Sequence, residues 1–362
     1  MLLTQEHLCY YLLERKTIEE KVLVDGDYMV LPISGSRNNL FKVLCKSRKS
    51  LFIKQTSKFD AVTTSVLTRE ANTYRFLSQG SMYPKVASGL PTFFDYDRQR
   101  HTLTVEYFPG AQSIHEYFVK QKSYFPELAV QQAVLLHSYH TPIPEGTDTS
   151  IFPKTLPWAL QIFDFPPGQM FPGSKANEEL MSMVYGNTEL KGHFDQLKAD
   201  YKMTTLIHGD IKWMNFIIYP AADGMKQSLI DWELADIGDP AWDVAGLIQS
   251  YISTWVFSFD NADPRSKDLK ENMKGFDITN MQASINSFWK TYAALMQHDS
   301  ATATASLYKC LRFAAARIVQ TSIEGVVYNP QIYPNNVRSL QLAFNILKSP
   351  QNAAKDLLGI KL

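Results

Sequence analysis

Cysteine is scarce in this chain of 362 residues. Cys9, Cys45 and Cys310 are odd in number and widely scattered, and no two of them form a CxxC pair. This pattern argues against a disulfide framework and against a zinc ribbon. We therefore expect the protein to work in a reducing compartment, and we predict a cytoplasmic location.

The chain also lacks a net charge, because its 36 Lys and Arg residues balance its 36 Asp and Glu residues. Such a chain has no overall field to attract nucleic acid or an anionic membrane. Its first stretch, MLLTQEHLCYYLLERK, carries Glu6, Glu14 and Arg15 within an apolar pattern. It therefore reads as a short amphipathic helix, and neither as a signal peptide nor as a spanning segment. We predict no nucleic-acid partner and no membrane partner.

The chain is too long for one simple core and, at 45% apolar residues, has enough apolar side chains for two lobes. Before about residue 105, short β-rich runs surround one helical segment, TSVLTREANTYRFLSQG. After it, helical patterns dominate, interrupted over 141–200 by a cap-like insertion with five prolines from Pro153 to Pro172. We predict an α+β fold of two lobes: a small β-rich N-lobe over 1–104, a connector over 105–110 and a larger, mainly helical C-lobe over 111–362.

Three polar residues stand out in the second lobe. In the stretch IHGDIKWMNFIIYP, Asp210 and Asn215 lie five residues apart within an apolar frame, and Asp231 ends the predicted strand SLID. Either of the first two residues alone is explained by an ordinary turn, in which Asp and Asn bond their own backbone. Together the three offer a base and two oxygen ligands for a hard cation, as in magnesium-assisted phosphoryl transfer of the protein-kinase type. The loop over 208–215 is the candidate catalytic loop.

The first lobe supplies candidate phosphate-binding groups. Gly35 and Ser36 lie in a small turn-forming run between two predicted strands, where backbone N–H groups can contact phosphates; the same run is also an ordinary hairpin turn. Lys54 ends the apolar strand SLFIK, and Glu70 lies on the following helix. We predict an ion pair between them, with Glu70 as a surface charge paired with Arg69 or Arg75 as the alternative.

Several stretches of the chain, and their order along it, resemble the aminoglycoside phosphotransferase and choline kinase family, a branch of the protein-kinase-like fold. The resemblance rests on HGD with Asn215, on IDWE, on GDPAWDVA over 238–245, on VEYFPG over 105–110 and on LLH over 135–137. Two departures from ordinary protein kinases are a nucleotide loop without a full GxGxxG and an Ile-Asp-Trp in place of Asp-Phe-Gly. The small-molecule branch tolerates both.

The resemblance implies a role for each matching position. It makes Asp210 the catalytic base, and Asn215 and Asp231 the magnesium ligands. It also makes Lys54 and Glu70 the pair that orients the phosphates. The backbone of Glu106 and Phe108 is expected to contact adenine, whereas Asp243 would brace the catalytic loop as a buried acid and His208 would be a structural hydrogen-bonding residue beside it.

We therefore predict an ATP- and Mg²⁺-dependent phosphotransferase that acts on a hydroxyl of a small molecule. Two alternatives are Ser/Thr phosphorylation of a peptide in natural-product maturation and a non-catalytic nucleotide-binding scaffold. The helical region over 251–362, one expected wall of the acceptor site, holds twelve Lys and Arg residues against eight acids, which argues against a polycationic aminoglycoside. Arg312 and Arg317 lie in an apolar helix there and are candidate acceptor-site residues; structural pairing with acids such as Asp243 or Glu324 is the alternative.

Overall fold

The computed structural model describes residues 2–34, 37–78, 83, 85–166, 173–222, 224–259, 277–329 and 331–361. Helices and strands alternate in the first third of the chain, and helices dominate from residue 240 onward. The helices are α1 Gln5–Glu14, α2 Glu20–Val24, α3 Ala61–Ser78, α4 Ile114–Gln121, α5 Pro126–Tyr139, α6 Lys175–Tyr185, α7 Thr188–Asp200, α8 Pro240–Phe257, α9 Ile278–Leu295, α10 Ser300–Val326, α11 Pro334–Lys348 and α12 Pro350–Asn352, the last followed by a π-helical turn, Ala353–Leu357. The strands are β1 Met29–Ile33, β2 Asn38–Leu44, β3 Ser50–Thr56, β4 Phe93–Asp97, β5 Thr102–Tyr107, β6 Gln112–Ser113, β7 Thr205–Ile207, β8 Phe216–Ala221, β9 Gly224–Leu229 and β10 Asp236–Gly238. Short 3₁₀ turns span Ala87–Gly89, Trp158–Asp164, Trp213–Asn215 and Trp232–Leu234.

The chain divides into two compact units, and neither is continuous in sequence. Unit 1 comprises residues 1–117, 144–152 and 214–235, and unit 2 comprises residues 118–143, 153–213 and 236–362. The lobe limits expected from the sequence stay a prediction, because they are continuous ranges, whereas units 1 and 2 are defined by which residues contact one another.

Unit 1 is built on a five-stranded antiparallel sheet with the strand order β1-β2-β3-β5-β4. The central strand β3 is almost wholly buried, as expected for a strand that has neighbours on both sides. Beside this sheet, β6, β8 and β9 form a second, three-stranded antiparallel sheet. Helix α1 packs against β1 and contributes Leu8, Tyr11 and Leu12 to the core beneath the sheet.

Helix α3 carries a buried face of apolar residues at helical spacing, including Leu67, Ala71 and Tyr74. Glu70 lies on this same face and is 3% exposed. The helix packs against the turn Trp232–Leu234. Its buried face therefore brings one carboxylate next to the chain segment that follows β9.

Unit 2 is a helical assembly in which α10 packs against both α8 and α11, and α5 packs against α9. Its two short strands, β7 and β10, pair antiparallel with Ile207 opposite Asp236 and Thr205 opposite Gly238. Helix α8 begins immediately after β10, with Asp239 as a side-chain N-cap and Pro240 in the first turn. The antiparallel pairing therefore places the start of α8 beside the chain that enters β7, where the Lys202 N–H donates to the Asp239 carboxylate.

The α+β fold expected from the sequence is confirmed, with a small sheet-rich part and a larger helical part. The helix expected over 64–80 is present as α3, three residues earlier at its start. The strand expected to end on Asp231 ends at Leu229, so Asp231 follows the strand by two residues. Among the described residues, none of the helices combines the length and the apolar character that crossing a bilayer requires.

Candidate active site

Unit 1 contains a cavity of about 360 Å³, within the size range of small-molecule binding sites. Its walls come from the five-stranded sheet, from α3 and from the segment between β8 and the turn after β9. Apolar side chains dominate one part of the wall, and charged side chains the other. The lining residues are Arg37, Asn38, Leu40, Lys42, Phe52, Lys54, Glu70, Tyr74, Pro91, Leu103, Val105, Glu106, Tyr107, Phe108, Ala111, Asn215, Ile217, Ile230, Asp231 and Glu233.

Lys54 is the centre of the charged part. It lies on β3, opposite Leu40 of β2 and Leu103 of β5, and is 8% exposed. Its Nζ atom lies 2.7 Å from Glu70 Oε2 and 2.7 Å from Asp231 Oδ1. The ion pair expected between Lys54 and Glu70 is thus present in the structure.

Glu233 is the third carboxylate at this lysine, with Oε2 3.3 Å from Nζ of Lys54. Burial alone would lower the pKa of Lys54, but Glu70, Asp231 and Glu233 outweigh burial and raise it above the ordinary lysine value. Burial in turn raises the pKa of Glu70 to about 7, although the charge of Lys54 opposes this rise. Lys54 is therefore protonated at neutral pH and lies among three carboxyl groups.

Asp231 has left-handed backbone angles, φ 67° and ψ 56°. This conformation is uncommon for a residue other than glycine, and such strain costs on the order of 1–3 kcal/mol and is concentrated at functional sites. The turn aims the Asp231 carboxylate at Lys54. Asn215 lies across the adjoining strands, where its carbonyl oxygen accepts a hydrogen bond from the Ile230 N–H at 2.9 Å, and the residue is 4% exposed.

The donor set suits a hard divalent cation. The carboxylate oxygens of Glu70, Asp231 and Glu233 lie within 4.8 Å of one another, and Asn215 lines the same cavity. Carboxylate and amide oxygens are the protein ligands that Mg²⁺ and Ca²⁺ take. Arg37 from the start of β2 forms an ion pair with Glu233 at this end of the cavity.

Phe108, an aromatic residue of the cavity wall, stacks on Tyr219, which is outside the lining set. The rings of Phe108 and Tyr219 lie 4.2 Å apart between centroids, with 19° between their planes. Glu106, beside Phe108 in the chain, directs its side chain to Lys49 at 2.8 Å and to the Thr92 hydroxyl at 2.6 Å. Its backbone N–H donates to the Thr92 carbonyl. Gly35 and Ser36, expected to contact phosphates, lie outside the described residues.

In unit 2, the chain leaving β7 turns at Gly209, whose φ of 80° lies in the region that glycine adopts without steric cost. Asp243 of α8 lies against this turn. Its carboxylate accepts hydrogen bonds from the backbone N–H groups of His208 at 2.7 Å and of Gly209 at 3.0 Å. It also accepts from the Tyr139 hydroxyl at 3.0 Å and contacts His140 Nε2 at 3.3 Å.

Asp243 is fully buried. Burial alone would raise its pKa, but His140 and the backbone N–H of His208 outweigh burial and hold the pKa below the ordinary carboxyl value. His208 is also fully buried, and its Nδ1 atom accepts a hydrogen bond from the Asp210 N–H at 3.2 Å. The contacts of Asp243 and His208 are therefore structural ones around the turn.

Asp210 carries two cationic neighbours in unit 2. Its Oδ2 atom lies 2.6 Å from Lys212 Nζ, and its Oδ1 atom lies 3.4 Å from an Nη atom of Arg317. Arg312, the other arginine singled out in the sequence, pairs with Asp200 at 2.8 Å. Both arginines are thus paired with acids, although with different ones from those named in the sequence-based alternative.

Part of the positive charge of the carboxyl-terminal region is paired as well. Among the residues of this region that the structure describes, four Lys and Arg side chains form ion pairs with acids that precede residue 251. Charge counted over 251–362 therefore overstates the positive character of that region. The pairs are Lys309 with Asp239, Arg312 with Asp200, Arg317 with Asp210 and Lys348 with Glu189.

Sequence reasoning missed two residues of the charged cluster. Glu233 belongs to the IDWE motif, and its position two residues after Asp231 was the available signal. Arg37 follows the candidate phosphate loop directly, but no local pattern indicates its partner.

Comparison with protein-family models decides the family. The model described as "Phosphotransferase enzyme family" matches residues 31–265. The chain belongs to this family. The match spans both the charged cluster of unit 1 and the turn at Gly209 in unit 2. No curated protein sequence matches the chain.

Solved structures of the same fold cover nearly the whole chain. Choline kinase from Cryptosporidium parvum Iowa II is similar at 14% identity, with 96% of each chain covered and a TM-score of 0.54. The amicoumacin kinase hAmiN, solved with AMP-PNP, Ca²⁺ and Ami, is similar at 11% identity, with 94% of this chain and 96% of that chain covered and a TM-score of 0.52. At these identities the likeness shows the fold of this phosphotransferase family member.

Proposed function

We propose that this phosphotransferase uses ATP and a divalent cation, Mg²⁺ in the cell, to phosphorylate a hydroxyl group of a small molecule. The observation that carries the proposal is the cluster of Lys54 with three carboxylates at one end of an apolar cavity. A cavity with this division suits a nucleotide, because a purine is flat and apolar and its phosphates need cations. The AMP-PNP and Ca²⁺ bound in the amicoumacin kinase of the same fold support this assignment.

Asn215 and Asp231 would hold the cation, and Glu233 adds a carboxylate in reach of it. Bound Mg²⁺ would neutralise negative charge on the phosphates. Lys54 binds phosphate oxygens as a buried cation, and Glu70 fixes the direction of its ammonium group. Phe108 and Tyr219 border the purine part. Because the Glu106 N–H is already bonded to Thr92, Glu106 would meet adenine through its carbonyl oxygen.

Asp210 is the proposed base. The acceptor hydroxyl oxygen forms a bond to the γ-phosphorus, the bond from that phosphorus to the bridging oxygen breaks, and ADP leaves with the electron pair. The hydroxyl proton passes to the Asp210 carboxylate. Asp243 and His208 keep the backbone around Gly209 in place, so that the carboxylate is oriented before the acceptor binds.

The acceptor is proposed as a small molecule because proteins of the same fold are named as kinases of choline and amicoumacin. A role for Arg312 and Arg317 as acceptor contacts stays a prediction, and their ion pairs favour structural roles. The proposal that polycationic aminoglycosides are poor acceptors rests on the excess of Lys and Arg over 251–362. The ion pairs with acids that precede residue 251 weaken this support.

The test combines a binding and a turnover measurement. Isothermal calorimetry of ATP with Mg²⁺ and with EDTA measures whether nucleotide binding needs the cation. ADP release and the mass increase of the acceptor are then followed over amino alcohols, sugars, kanamycin and Ser/Thr peptides. Phosphorylation of an amino alcohol or sugar is the expected result. ATP binding without transfer to any acceptor would favour a scaffold, and transfer to peptides alone would contradict the small-molecule acceptor.

A further inference from the structure

Arg317 is a buried cation in the middle of α10. It is 3% exposed, and its guanidinium group points at the turn that follows β7. One Nη atom donates to the Ile211 carbonyl oxygen at 3.0 Å, and the other approaches the Gly209 carbonyl oxygen at 3.4 Å. The contact with Asp210 Oδ1, also at 3.4 Å, is made by the same Nη atom that bonds Ile211. The guanidinium group thus meets three consecutive residues of the turn.

This placement is costly for folding alone. The Arg317 Nε atom is buried and has no hydrogen-bond partner among the described residues. A buried donor without a partner costs about 1–3 kcal/mol. Part of the burial is offset by Trp242, whose ring lies 5.1 Å from the guanidinium carbon. The hydrogen bonds of its guanidinium group go to residues 209–211, and Glu324 of α10 adds a favourable electrostatic interaction.

Helix α8 is shaped to allow this approach. A Cβ atom on Gly246 would lie 2.4 Å from the Ile211 carbonyl oxygen and 3.2 Å from the guanidinium carbon of Arg317. Any larger residue would push the turn or the arginine away. At Gly246, α8 therefore lies close to both the turn and Arg317 of α10.

Asp243 and Arg317 hold opposite kinds of backbone group. Asp243 accepts from the N–H groups of His208 and Gly209, whereas Arg317 donates to the carbonyl groups of Gly209 and Ile211. Trp242 Nε1 adds a third donor, 3.1 Å from the Gly209 carbonyl oxygen. The backbone on both sides of Asp210 is thus fixed by the Asp243 carboxylate from α8 and the Arg317 guanidinium group from α10.

We infer that Arg317 is a positioning residue of this phosphotransferase, one that holds residues 209–211 so that the Asp210 carboxylate faces the acceptor hydroxyl. The inference rests on the proposed role of Asp210 as the base. Two other groups act on this carboxylate: Lys212 pairs with it, and Glu324 of α10 interacts with it electrostatically. His208 contacts the same residue through the backbone, where its Nδ1 atom accepts from the Asp210 N–H. Arg317 differs from all three because it contacts both the carboxylate and the neighbouring backbone carbonyl groups.

The first test separates kcat from KM. Arg317→Gln keeps a polar side chain but removes the charge and the fork of donors. We expect kcat to fall about 10- to 100-fold, as for a misplaced catalytic group, with unchanged KM for Mg-ATP and for the acceptor. Arg317→Lys keeps a positive charge but lacks the planar set of guanidinium donors, so its kcat should lie between those of the wild type and of Arg317→Gln. Lys309→Gln, which removes the ion pair with Asp239 from the same helix, is the matched control and should retain the wild-type kcat.

The second test does not depend on turnover. Hydrogen exchange followed by mass spectrometry reports on the backbone amides of His208 and Gly209. Arg317→Gln should speed their exchange, and Lys309→Gln should not. If Arg317→Gln fails to fold, Gly246→Ala is the substitute, because it keeps the arginine but forces the turn outward. It should show the same faster exchange and the same fall in kcat.

The outcomes distinguish this inference from the proposed function. A raised KM for the acceptor with unchanged kcat in Arg317→Gln would make Arg317 an acceptor contact and overturn the inference. Wild-type protection of residues 208–209 in that variant would do the same. If the wild-type protein transfers phosphate to no acceptor, the proposed function fails, whereas the exchange experiment still decides whether Arg317 holds the turn.

Discussion

Replacement of Asp243 by alanine tests how strongly the turn at Gly209 depends on one buried carboxylate. Four hydrogen-bonding groups converge on it: the N–H groups of His208 and Gly209, the Tyr139 hydroxyl and His140 Nε2. Each buried donor left without a partner costs about 1–3 kcal/mol. Because the four share one acceptor and relax together, we expect a total loss of about 3–5 kcal/mol, typical of a broken buried ionic contact.

The assay is thermal unfolding monitored by circular dichroism. With an unfolding entropy of about 2.1 cal/mol/K per residue, a chain of 362 residues loses about 1.3 °C per kcal/mol, so Tm should fall by about 4–7 °C. Asp299→Ala is the control, because it removes an exposed N-cap acid at the start of α10 and should cost only about 1 kcal/mol. A Tm for Asp243→Ala within about 2 °C of the wild type would refute the reasoning.

The pH dependence follows from the lowered pKa of Asp243. A carboxylate whose folded-state pKa is depressed contributes its full stabilisation above the unfolded-state pKa of about 3.9 and loses it as the pH falls through the lower folded-state value. The Tm difference between wild type and Asp243→Ala should therefore stay constant between about pH 5 and pH 8. A difference that vanishes within this range would mean that the carboxylate titrates there.

Three further predictions concern the chemistry. Asp210→Asn should keep Mg-ATP affinity in calorimetry and lose about 10²–10⁴ in turnover in a coupled ADP assay; wild-type turnover would exclude Asp210 as the base. Asp231→Ala should weaken Mg-ATP binding itself, because a metal ligand acts before the transition state, and unchanged affinity would contradict that role. Arg37→Gln should tighten binding of Mn²⁺ in the absence of nucleotide, since Glu233 loses one of its two cationic partners and keeps only Lys54; weaker or equal binding, read by electron paramagnetic resonance, would show that Glu233 is not a ligand.

The parts of the site that local sequence patterns predicted are those that a single element determines. Lys54 was recognisable because a lysine in an apolar strand is buried with its neighbours and needs an acidic partner. Glu70 was recognisable because it lies at helical spacing on the buried face of α3. The α+β fold was predicted in the same way, from the change of the apolar pattern near residue 105 from strand-like to helical spacing. The family match over residues 31–265 supports the order of motifs from which the resemblance was drawn.

The parts that escaped prediction depend on contacts between elements far apart in sequence. The sequence places Arg317 in an apolar helix, which indicates that its charge must be paired, but the choice of partner is made by the packing of α10 against α8. That packing selects the Asp210 carboxylate and the carbonyl groups of Gly209 and Ile211, more than a hundred residues earlier, as hydrogen-bond partners in place of Asp243 and Glu324. Backbone carbonyl groups are the same at every position, so no residue pattern could have identified them. A buried arginine therefore predicts that a partner exists, whereas the partner's identity is a property of the fold.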